Sequence, residues 1–128
     1  MSAETGAGRP TLLLVDDEVR ILTALCRTLR REGYEILTAE TPAEALRVLD
    51  ERSVDLVLTD QKMPGMSGMT LLGEAARRQP AAARLLITGW TEAVPPEDLR
   101  ALDVKGLIPK PWQDDQLKQV IRDALAGS

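Results

Sequence analysis

Acidic, hydroxyl and basic side chains recur in this chain of 128 residues close behind short apolar runs, where a strand would give way to a loop. Asp16, Asp17 and Glu18 follow the run at 12–15, Asp60 follows 56–58, Thr88 follows 85–87, and Lys110 follows 107–108. Carboxylates brought together repel, and one of them takes up a proton far more readily unless a cation neutralises the group. A hard divalent ion is the natural partner. Mg²⁺ in particular accepts one or two carboxylates, keeps several waters and leaves room for a phosphate oxygen. The chain has no histidine and a single cysteine, Cys26, which removes imidazole-based triads, imidazole zinc sites, thiolate clusters and internal disulfides. Any chemistry must come from carboxylates, hydroxyls and ammonium groups.

For these residues to meet, the apolar runs must lie side by side in one sheet. Runs at 12–15, 36–39, 56–58, 85–87 and 107–108 qualify as strands, and several are continuously apolar, as expected when helices cover both faces. Ile21, Leu22, Leu25, Cys26 and Leu29 recur at helical spacing, with Gly33 as the stop. Thr41, Pro42 and Glu44 supply an N-cap, a first-turn proline and a capping-box acid for a second helix through Leu46 and Leu49. A third helix is predicted over 69–78, with Leu72 and Ala75 inward. A fourth, over 97–102, is short and delayed by Pro95 and Pro96. The fifth, over 114–126, carries Leu117, Val120, Ile121, Ala124 and Leu125 on one stripe. Strands each followed by a helix predict an α/β fold, a three-layer, doubly wound parallel sheet. In such a sheet the ligand site lies outside the carboxyl ends of the strands, where the strand order reverses.

A hydrophobic content of 44% over this length can fill one core. One domain is expected over 10–128, behind a loose tail at 1–9. No stretch is long and apolar enough to span a bilayer, and the opening lacks the apolar run of a secretory signal, so a cytoplasmic protein with no membrane contact is expected. The formal charge of -4 and sequence pI near 4.9 leave no electrostatic footprint for nucleic acid. With no Phe, two Trp and one Tyr, base-stacking platforms are missing too.

The stretches Val15-Asp16-Asp17-Glu18, Thr59-Asp60-Gln61-Lys62-Met63-Pro64-Gly65-Met66-Ser67-Gly68, Leu86-Ile87-Thr88-Gly89 and Pro109-Lys110-Pro111-Trp112 resemble, in order, the motifs of two-component response-regulator receiver domains. The resemblance spans about residues 11 to 126. It implies a flavodoxin-like five-stranded sheet of order 2-1-3-4-5. It also implies a phosphorelay switch, in which Asp60 takes a phosphoryl group from the phosphohistidine of a sensor histidine kinase or phosphotransfer protein. Such a switch catalyses its own phosphorylation, with its own hydrolysis as a further step, and processes no metabolite. Mg²⁺ would be held by Asp17, Asp60 and the backbone carbonyl of Lys62, with Asp16 acting through a coordinated water. Lys110 and Thr88 would meet the phosphoryl oxygens, Thr88 drawing its loop inward, and the Lys110–Pro111 bond would be cis. The signal would pass to an output domain or a downstream protein, with a second copy of the chain as a further candidate partner.

Two positions depart from that pattern. Leu107 stands where receivers commonly carry a Tyr or Phe whose rotation accompanies the threonine movement, and the fourth helix is short and proline-led. Lys62 and Trp90, two residues beyond Asp60 and Thr88, are bulky enough to predict slow loss of the phosphoryl group. Structural roles compete for the same residues. Asp16 and Asp17 can cap the first helix, and Asp114 and Asp115 can start the last. Lys110 can be a solvated lysine, and Trp112 can pack beneath the last helix or meet a partner. Competing functions are a receiver-like interaction module indifferent to phosphate, and a Mg²⁺-dependent phosphohydrolase working through an aspartyl phosphate. The second lacks an insertion able to form a substrate cap.

Overall fold

In the computed structural model, which describes residues 9–89 and 94–127, strands and helices alternate. The order is β1 (Thr11–Val15), α1 (Val19–Leu29), β2 (Glu35–Ala39), α2 (Pro42–Glu51), β3 (Leu56–Asp60), α3 (Gly68–Arg78), β4 (Ala83–Gly89), α4 (Pro96–Ala101), β5 (Val104–Lys110) and α5 (Asp114–Gly127). All strands pair in parallel, in the order β2-β1-β3-β4-β5, which is the arrangement expected from the sequence. Side chains along a strand point alternately to its two faces. Leu12 and Leu14 of β1 therefore enter the layer shared with α1 and α5, while Leu13 and Val15 enter the layer shared with α2 and α3. With both faces covered, β1 and β3 are buried at every residue, and each fully buried leucine stabilises the fold by about 1.5–3 kcal/mol.

The edge strands are less covered: β2 is mostly half-buried, and β5 alternates exposed and half-buried residues around the buried Ile108. β5 is longer than its apolar run because backbone pairing to β4, which ignores side-chain type, carries it from Val104 to Lys110. Helix α1 stops at Leu29, and Gly33, at φ +87°, turns the chain into β2. Thr41 caps α2 by accepting the Glu44 amide at 3.1 Å. The Glu44 carboxylate reaches back past Thr41 to the Glu40 amide at 2.7 Å, so the reciprocal bond of the capping box falls one residue earlier than expected. Helix α4 begins at Pro96 and has no fully buried residue, in keeping with its short sequence signal. The Gln79 amide, just past α3, donates to the carbonyls of Leu49 and Arg52 at 2.8 and 2.6 Å and accepts from the Val54 amide at 2.8 Å, fastening α3 to the α2–β3 turn. Residues 1–8 of the predicted tail lie outside the described residues. No described helix is long and apolar enough to cross a membrane.

Candidate functional site

The chain leaves β1 towards β2 on one side and returns to β3 on the other, so the carboxyl ends of β1 and β3 face the crevice where the strand order reverses. The pairing of Val15 with Thr59 puts Asp16 and Asp60 at one level. Asp60 is paired with Ile87 and Gly89 with Lys110, so Thr88 and Lys110 emerge at the same edge. Carboxylate oxygens of Asp16, Asp17 and Asp60 all lie within 4.8 Å of one another. The Lys110 Nζ stands 3.0 Å from Asp60 Oδ1 and 3.3 Å from Asp16 Oδ2. Above them opens a cleft of about 510 Å³ lined by Asp17, Glu18, Asp60, Lys62, Met63, Pro64 and Lys110. Asp16 is wholly buried and Asp17 exposed. Thr88 is buried on the neighbouring strand and is not one of the side chains lining the cleft.

Local bonds hold these groups in place. Asp16 Oδ1 accepts the Glu18 amide at 2.9 Å, and the Asp16 amide donates to the Ala39 carbonyl at 3.2 Å. The Asp60 carbonyl accepts the Thr59 hydroxyl at 3.0 Å. Gln61, a residue the sequence did not single out as structural, closes the loop behind Asp60. Its carbonyl accepts the Gly68 amide at 2.8 Å and its side-chain oxygen the Met69 amide at 2.9 Å. A Cβ at Gly68 would strike the Asp60 carbonyl group and Gln61 Cα, so α3 can start this close to the strand only on a glycine.

Burial pushes the Asp16 carboxyl above its ordinary value, against the pull of the Glu18 amide and of Lys110. For Lys110 burial works to lower the value, but bonding to Asp60 and the charges of Asp16 and Asp60 outweigh it and hold the ammonium above its usual range. Lys110 is therefore charged at any physiological pH. Among the described residues the Lys110 ammonium lies against two of the three clustered carboxylates, and the cluster offers an all-oxygen donor set, a fit for a hard divalent cation.

A family model, the response regulator receiver domain, matches residues 12–122. The chain belongs to that family. The receiver is 39% identical to the transcriptional regulatory protein GlrR of Escherichia coli (strain K12), over 91% of this chain and 26% of that protein. It is 33% identical to the sensor kinase CckA of Brucella abortus (strain 2308), over 93% of this chain and 13% of that protein. It thus spans about a quarter or less of the length of these relatives. Among solved structures, the signal receiver domain of an HD domain-containing protein from Pseudomonas fluorescens Pf-5 is similar at a TM-score of 0.84 and 32% identity, over 93% of this chain and 96% of that one.

The local readings of single residues now separate. The N-cap of α1 is Glu18, which makes no side-chain cap, so neither Asp16 nor Asp17 occupies the capping position. Lys110 is no solvated surface lysine, since its side chain is only 20% exposed and lies against two carboxylates. The Lys110–Pro111 bond is cis, as the resemblance implied. Leu107 is 48% exposed. Asp114 and Asp115 lie in the first turn of α5. Trp112 packs half-buried against the core, and its indole Nε1 donates to Thr28 Oγ1 at 3.4 Å. Thr28 had no signal in the sequence, being one polar residue on the flank of an amphipathic helix. Trp90 lies outside the described residues.

Proposed function

We propose that Asp60 is the phosphoacceptor of this receiver, taking a phosphoryl group from the phosphohistidine of a sensor histidine kinase or phosphotransfer protein, with Mg²⁺ in the acidic cleft. The observation that carries this reading is the convergence of Asp16, Asp17 and Asp60 within 4.8 Å beside an ammonium 3.0 Å from Asp60. An oxygen of Asp60 bonds phosphorus as the P–N bond to the donor imidazole breaks, and the ring nitrogen leaves with the electron pair. Asp17, Asp60 and the Lys62 carbonyl would hold the cation and Asp16 would act through one of its waters. Bound there, it supplies positive charge that lets two anionic groups approach. Lys110, already beside Asp60, adds a second positive charge on the transferring oxygens. Thr88, one strand away, hydrogen-bonds a phosphoryl oxygen and draws its loop inward. The added charge of about -1.5 to -2 biases that loop and the face that carries Leu107. An output domain or downstream protein, or a second copy of the chain, reads the change.

Incubating the chain with acetyl phosphate and Mg²⁺ and weighing it intact tests this. The expected result is the mass of one phosphoryl group on the parent and none on Asp60→Asn. An unshifted parent would mean a module that works without phosphate, and equal labelling of the Asp60→Asn chain would move the acceptor elsewhere.

A further inference from the structure

Thr28 lies on the side of α1 that faces the loop leaving Lys110. Its hydroxyl donates to Asp114 Oδ1 at 3.1 Å and accepts from the Trp112 indole at 3.4 Å. One side chain of α1 thus ties down Trp112 in the β5–α5 connection and Asp114 at the start of α5, both more than eighty residues away in sequence. The Trp112 ring packs against the core layer that α1 and α5 share, so the tie sits on a firm base. Lys110 lines two clefts: the acidic one above Asp60, and a second, more apolar one of about 590 Å³ bounded by Ile21, Ala24, Arg27, Thr28, Pro111 and Trp112. Lys110 is thus shared by both clefts, and Pro111 and Trp112, which follow it, border the open space of the second.

We propose that Thr28 is a positioning residue for Lys110. Its hydroxyl holds the β5–α5 connection against α1, and so holds the ammonium over Asp60. A lysine is a point charge on a flexible four-carbon stem, so its place depends on where its backbone is fixed. Without the hydroxyl, the indole N–H and the Asp114 carboxylate turn to water and the connection relaxes towards the second cleft. A displacement of about 1 Å at a reacting group can cost as much as about 100-fold in rate. The role of Thr28 rests on Asp60 being the acceptor.

The test compares Thr28→Val, which keeps the shape but loses the hydroxyl, with Thr28→Ser, which keeps the hydroxyl. The readouts are the phosphorylation rate with acetyl phosphate, the Mg²⁺ affinity and the unfolding midpoint. Thr28→Val is expected to slow phosphorylation by about tenfold with Mg²⁺ affinity little changed, and Thr28→Ser to return most of the rate. Trp112→Phe, which keeps an aromatic ring and drops the N–H donor, is expected to slow the reaction in the same direction and serves if Thr28→Val does not fold. A Thr28→Val rate equal to the parent's, or a Thr28→Ser rate as low as that of Thr28→Val, would overturn the positioning role alone. A parent that takes no phosphoryl group would overturn the reading of Asp60, and this inference with it.

Discussion

Replacing Lys110 by Met removes the one ammonium that stands between two buried carboxylates, Asp16 with its side chain 0% exposed and Asp60 with 5%. At the observed 3.0 and 3.3 Å, each contact has a gross attraction of about 5 kcal/mol at an effective dielectric of about 20. Desolvation consumes much of that, but deleting one partner leaves the others charged, buried and facing each other. Breaking a buried pair in this way costs about 3–5 kcal/mol, against a total stability of about 5–15 kcal/mol for a domain. Urea unfolding at neutral pH, without divalent cations, reads the loss as a fall of about 2–3 M in midpoint for an m-value of about 1.5 kcal/mol/M. In an Asp16→Asn background the ammonium serves one buried carboxylate in place of two, so the same replacement should cost less, with a coupling of about 1–3 kcal/mol between the two positions. The pH dependence follows from the signs of the shifts. The folded-state value of Asp16 is raised from 3.8 by burial, so its favourable contribution is complete below that value and is lost as pH rises through the folded value. The deficit of Lys110→Met should therefore shrink as the pH falls and Asp16 takes up a proton. Lys110, raised from 10.5, contributes fully below that pH and loses its contribution as pH rises through its folded value. A loss under about 1 kcal/mol, or one of equal size in the Asp16→Asn background, would refute the picture of a shared buried ion cluster.

Gly68→Ala should destabilise the fold by about 1–3 kcal/mol, because the added methyl strikes the Asp60 backbone. It should slow phosphorylation of Asp60 as well; thermal unfolding and the acetyl phosphate time course check the two effects. Mg²⁺ at about 100 times its dissociation constant should stabilise the parent by about 2.7 kcal/mol. That gain should vanish on chelation and be largely absent in Asp17→Ala, as calorimetry would record. Gln79→Ala removes three hydrogen bonds that join α3 to the α2–β3 turn and should cost about 1–3 kcal/mol. Because Gln79 lies far from the acidic cleft in the chain and at the opposite end of α3 from Gly68, its phosphorylation rate should match the parent's.

Most of the fold was legible in the amino-acid order because burial on one face or on two imposes a local period. Leu22, Leu25 and Leu29 mark the inward stripe of α1, and the unbroken run at 12–15 marks a strand covered on both sides. The candidate site was legible for a related reason: in a parallel sheet the carboxyl ends of the strands share one edge, so polar residues placed just after apolar runs must gather there. The extent of β5 was not legible, because its pairing with β4 runs through the backbone and leaves no trace in side-chain type. Nor could the order of residues tell that Asp16 would be buried and its twin Asp17 exposed, a difference set by which way each side chain leaves the end of β1. The tie between Thr28 and Trp112 and the clamp of Gln61 around Gly68 belong to the same class. Their partners are chosen by how helices settle on the sheet, and distances of that kind exist only once the whole chain has packed.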